Sequence, residues 1–142
     1  MILVALTLAA MSGGSVAMPA PASIPSSCPV TTVERWTGST PSQYPFVRVQ
    51  PIFSGMSMQM QTGTIGAPGS AYAPMRTSGV TVVWHAPTSQ VSIKASNGGA
   101  SFATTMPVLQ NGNVLTFPSG GCWKLHVSSG IKSGDMVLYV VK

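Results

Sequence analysis

Three methionines at alternate positions, Met56, Met58 and Met60, are the side chains here whose spacing could do chemistry. Successive side chains of a strand point to opposite faces, so the run MSMQMQ places all three thioethers on one face and Ser57, Gln59 and Gln61 on the other. Thioether sulfur is a soft ligand that selects Cu(I). A Cu(I) site would use Met56, Met58 and Met60 with His85, and Met75, Met106 or His126 are further candidate ligands. The competing reading is packing. Methionine is an adaptable core filler, and a strand must bury one face. No partner ligand is set by spacing, so packing is the weightier of the two.

Other chemistry has little to stand on. Glu34 and Asp135 are the only acids, far apart in the chain, which is poor material for paired-carboxylate catalysis. Serines are plentiful and His85 and His126 exist, so an unrecognised hydrolase stays in view as a further alternative. Against it, the chain has no G-x-S-x-G elbow. A glycine-rich phosphate loop and an H-E-x-x-H metal motif are absent as well. Catalysis is not expected.

Charge narrows the partners. Charged residues are 6% of the 142, against roughly 25% in ordinary domains. The net charge is +5, but Arg35, Arg48, Arg76, Lys94, Lys124, Lys132 and Lys142 stand singly along the chain. Nucleic-acid binding needs a cluster or stripe, so no nucleic-acid partner is expected. Serine, threonine, glycine, glutamine and asparagine supply the surface polarity instead.

The elements that must carry these residues are short strands. Val80–Trp84, VTVVW, is the strongest β signal, and Val91–Ala95 alternates cleanly. Phe46–Phe53 alternates until Pro51, which removes a ladder donor. The C-terminal stretch VLTF, PSGG, CWKLHV, SSGIKSGD, MVLYVV reads as antiparallel strands joined by tight turns. Trp123, Leu125 and Val127 share one face, while Cys122, Lys124 and His126 share the other. Turn signals recur at intervals near 8–12 residues and no segment holds a helical period. The expectation is an all-β, immunoglobulin-like antiparallel sandwich of about seven to nine strands, with a small β-barrel as the alternative. The loop Gly63–Pro74, with Gly66, Pro68 and Tyr72, is a candidate binding loop, since recognition concentrates on such connections.

Residues 1–17 look like a secretory signal: an apolar run ILVALTLAAM, then small residues Ser15 and Ala17 before Met18. No Lys or Arg precedes the run, and the rival reading is a buried N-terminal strand or helix. The run is shorter than the roughly 20 residues that span a bilayer, so no integral membrane segment is expected after processing. Residues 18–29, with four prolines, form an extended lead-in, and 30–142 form a single domain. Cys28 and Cys122 most simply pair with each other in an exported chain; free thiols or metal ligands are the rival reading.

The residues FPSGGCWKLHV, Phe117–Val127, followed by a glycine turn and MVLYVV, resemble the C-terminal signature of a group of uncharacterised exported bacterial β-sandwich proteins. That signature is Phe-Pro-x-x-Gly-Cys-Trp, and the group also carries Cys-Pro-Val-Thr near its mature N-terminus, here Cys28–Thr31. Where the group has an acid two residues after the cysteine, this chain has Lys124. The resemblance covers about fifteen positions. It implies export, a sandwich and a Cys28–Cys122 bridge, and no activity. The expected role is therefore a non-catalytic binding or structural module, secreted or held in the periplasm or cell envelope, with an envelope protein or a glycan as partner. Its cofactor is none, or Cu(I) on the alternative reading. Its oligomeric state is not legible.

Overall fold

The computed structural model describes residues 14–17, 24–37, 45–61 and 75–142. The candidate binding loop (Gly63, Gly66, Pro68 and Tyr72) lies outside the described residues, as do most of the expected leader and half of the lead-in. Among the described residues the chain is all β, with a single short 3-10 turn at Ile52–Ser54.

The described residues form eleven strands in two sheets: β1 (Gly14–Ala17), β2 (Val33–Thr37), β3 (Phe46–Arg48), β4 (Ser57–Gln61), β5 (Met75–Arg76), β6 (Val80–His85), β7 (Gln90–Ser96), β8 (Ser101–Pro107), β9 (Asn113–Leu115), β10 (Gly121–Ser129) and β11 (Lys132–Val141). One sheet has the order β1-β2-β3-β4-β6-β9, the other β5-β11-β10-β7-β8. The expected sandwich is present. Beyond the expected strands are β1, inside the segment read as a leader with a strand or helix as the rival reading, and the two-residue β5, which runs parallel to β11.

Alternation fixes which side chains go inside. Across the first sheet, Val33, Val47, Met58 and Trp84 are successive register partners, and all are buried. Across the second, Ile93, Val127 and Gly134 align, with Leu125, Met136 and Leu138 beside them. Both sets face a common core. Phe102, Phe117 and Trp123 form an aromatic cluster in it, with ring centroids 5.4–5.5 Å apart. Such pairs add about 0.5–1.5 kcal/mol beyond the area they bury. The two buried indoles differ: Trp123 Nε1 donates to the Ser119 carbonyl at 3.0 Å, whereas Trp84 Nε1 has no acceptor among the described residues.

The sheets are stitched along the outer edge of β11. Gln50 and Asp135 exchange both backbone hydrogen bonds at 2.8 Å. Thr31 N–H donates to the Val137 carbonyl at 2.9 Å, and its hydroxyl accepts from Val137 N–H at 2.7 Å. Beyond that, β5 pairs with Val140 and Val141, and Thr77 N–H donates to the Val141 carbonyl. The arm that carries Thr31 is anchored by the Cys28–Cys122 disulfide, which settles the cysteines as a pair. Closing a loop across 94 residues removes chain entropy worth about 4–5 kcal/mol in the loop-closure model.

At Gly134 the backbone of β11 lies close against that of Gln50. A methyl group there would run into the Gln50 carbonyl and the Val49 side chain. Gly134→Ala is therefore expected to destabilise the fold by about 1–3 kcal/mol, the cost of overpacking, read as a lowered urea midpoint. The two indoles supply a second check. Trp123→Phe leaves a carbonyl without its donor, while Trp84→Phe removes a buried donor that has no acceptor among the described residues. Trp123→Phe should cost the more by about 1–2 kcal/mol in the same urea titration, and equal losses would contradict this hydrogen-bond accounting.

Candidate functional site

The outer face of the six-stranded sheet carries a pocket of about 330 Å³. It grows from alternation and register. Phe46 and Arg48, two apart on β3, share the face turned away from the core. Register sets Phe46 opposite Gln59 and Arg48 opposite Ser57, and sets Ser57 opposite His85. Arg48, Ser57 and His85 thus form one row across three strands, at the ~4.8 Å spacing of a sheet.

One wall is the turn that interrupts β3. Gln50–Pro51 is a cis peptide, and the chain leaves the sheet there as a 3-10 turn, in keeping with the missing ladder donor of proline. Gly55 closes the turn at φ 71°, a left-handed conformation that favours glycine, and its N–H bonds the Ile52 carbonyl. The buried Ser54 hydroxyl holds the turn down, donating to the Val49 carbonyl at 3.2 Å and accepting from Met56 N–H at 3.3 Å. Ile52 and Gly55 line the pocket, and Met56 contributes to its floor.

Arg48 is oriented by three contacts. Its Nε lies 2.7 Å from Glu34 Oε2, its Nη2 donates to Ser15 Oγ at 3.2 Å, and its guanidinium carbon is 5.4 Å from the Phe46 ring centroid. Ser15 in turn donates to Glu34 Oε1 at 2.8 Å. Half-buried pairs of this kind add little stability, about 0–1 kcal/mol. Their effect is to hold a charged donor at the pocket rim. The lining thus combines the apolar Phe46 and Ile52 with the polar groups of Arg48, Ser57, Gln59 and His85, and it contains no carboxylate.

The two acids lie on different sheets. Glu34 is held by Arg48, while Asp135 pairs its backbone with Gln50 and has its carboxylate 2.9 Å from His126 Nδ1. A carboxylate pair for acid–base work is therefore not assembled. The His126–Asp135 contact has the form of a base and its orienting acid, but both side chains are exposed and no hydroxyl is hydrogen-bonded to His126 among the described residues.

The methionines go where the packing reading puts them. Met56, Met58, Met60, Met75, Met106 and Met136 are all buried. Met58 and Met60 face inward opposite Trp84 and Val82, while His85 is exposed on the outer face, so these do not form one ligand set with His85. Met56 and His85 do share the lining of the pocket. Phe46, Arg48 and Gln59 were not expected as site residues. The alternation of Phe46 and Arg48 was visible in the chain, but their meeting with Gln59 and His85 depends on register between strands.

No known protein family, curated protein or solved structure matches this chain. Among the described residues no helix is long and apolar enough to cross a membrane.

If Met58 and Met60 serve as core packing, leucine should replace either one at a cost below about 1.5 kcal/mol, since the volume is nearly conserved. Chemical denaturation of Met58→Leu and Met60→Leu checks this. A larger loss would mean that the thioethers do more than fill space.

Proposed function

We propose that the chain is an exported, non-catalytic binding module of the cell envelope that takes a glycan segment in the pocket beside Phe46. The observation that carries this reading is the lining itself. An aromatic ring and an aliphatic side chain stand among a guanidinium, an amide, a hydroxyl and an imidazole, on a rigid sheet face. Such a mixture suits a sugar, which offers apolar C–H faces and many hydroxyls. The missing carboxylate in the lining speaks for holding a sugar over cleaving it.

Export is supported by the leader-like residues 1–17 and by a disulfide, which persists in oxidising compartments. Cleavage after Ala17 would remove β1 and the hydroxyl of Ser15. The Arg48–Glu34 pair and every residue of the pocket lining lie downstream and would be retained.

The test is a glycan array probed with the disulfide-bonded chain from Met18 onward, beside its Phe46→Ala variant. At least one neutral glycan should bind the parent chain. Phe46→Ala should weaken it about tenfold or more, the loss of one well-packed aromatic contact. An array on which the parent never exceeds the variant would end the reading.

A further inference from the structure

On the opposite side of the molecule, we propose that the outer face of the five-stranded sheet binds a linear anionic polysaccharide. The inference rests on where the fold brings two lysines together. Lys94 is on β7 and Lys124 on β10. Register pairs Lys124 with Ser96 and His126 with Lys94, so Lys94 is the direct neighbour of His126 and the diagonal neighbour of Lys124. Diagonal positions of this kind lie about 7–8 Å apart. All three side chains are exposed on one face.

Those two charges have no ion-pair partner among the described residues, and the count of acids explains why. Seven lysines and arginines face only two acids. Glu34 is engaged by Arg48 on the other sheet, and Asp135 by His126. Two ammonium groups at diagonal positions repel one another, a weaker form of the penalty for like charges directly opposite. A counter-charge from outside relieves that repulsion.

The shape of the face selects a linear ligand. Lys94, Lys124 and His126 border a shallow, open trough of about 540 Å³ with Ser96, Ser101 and Ala103. Ala103, opposite Lys94, keeps the floor low. Serine hydroxyls along both strands match the hydroxyls of a sugar chain. The charge that opposes an anion is Asp135, which His126 already holds at 2.9 Å. Phe102, the aromatic residue of this region, packs against Phe117 and Trp123 in the core. Because Phe102 and the exposed His126 ring both line the trough, it is the serine hydroxyls that favour a carbohydrate polyanion over a single-stranded nucleic acid, and DNA is kept as the competitor.

The chain from Met18 onward, with its disulfide intact, is titrated by calorimetry with alginate, a linear polyuronate. Poly(glycerol phosphate) distinguishes phosphate from carboxylate, and neutral dextran and single-stranded DNA complete the set. Alginate or poly(glycerol phosphate) should bind, with affinity falling as salt rises, and dextran should not bind at this face. The Lys94→Gln/Lys124→Gln double variant should lose about tenfold or more, two charge-assisted contacts. Both positions are exposed, and circular dichroism confirms the fold. The Lys94→Arg/Lys124→Arg variant should retain binding. Phe46→Ala in the pocket and Arg76→Gln on β5 should leave it unchanged, so failure here is separate from failure of the pocket reading. Unchanged binding by the double Gln variant, an equal loss in Arg76→Gln, or tighter binding of DNA than of either polyanion overturns the proposal.

Discussion

The open edge of β11 is the constraint on which this structure depends. A long, apolar C-terminal strand beside β10 leaves a row of backbone groups on its other side, and unpaired buried groups are costly. Three separate segments satisfy them: Gln50 at Asp135, Thr31 at Val137, and β5 at Val140 and Val141. None of the three is a long strand. Two of them are delivered by special local features: the disulfide before Thr31 and, at Gln50, the proline break that follows it together with the absence of a side chain at Gly134 where the backbones meet. The stitching joins the sheets on one side and excludes strand addition there.

That seam also shapes the pocket. The chain must leave β3 at Gln50 to reach β11, and the turn it then makes becomes the pocket wall. The same hydrogen bonds that close the core therefore set the distance between the apolar wall at Ile52 and the polar row at Arg48, Ser57 and His85. Ser54, buried beneath the turn, links the two tasks by bonding to the backbone on both sides of it.

With two acids in the whole chain, electrostatics is a matter of allocation. One acid orients Arg48 at the pocket, and the other orients His126 on the far sheet. What remains is positive. On a sheet rich in serine and threonine, residual charge is held at fixed spacing by the β-ladder. This makes the two faces different in kind: one a pocket with mixed polarity, the other a shallow, open trough bordered by lysines.

Fold class, the inward face of most strands and the break at Pro51 were legible in the chain alone, whereas the methionines stayed open between packing and Cu(I) until their burial was seen. The legible features follow from period-two alternation and from proline's missing donor, which are local properties. Tertiary structure alone decided which strands are neighbours and in what register. That is why Phe46, Arg48, Gln59 and His85 could not be grouped in advance, and why Lys94 and Lys124 read as scattered when the fold makes them neighbours. It also separated His85 from Met58 and Met60, because two residues each legible as ligands can point to opposite faces of one sheet. Alternation says which side of a strand a residue takes; only hydrogen bonding between strands says whose side it shares.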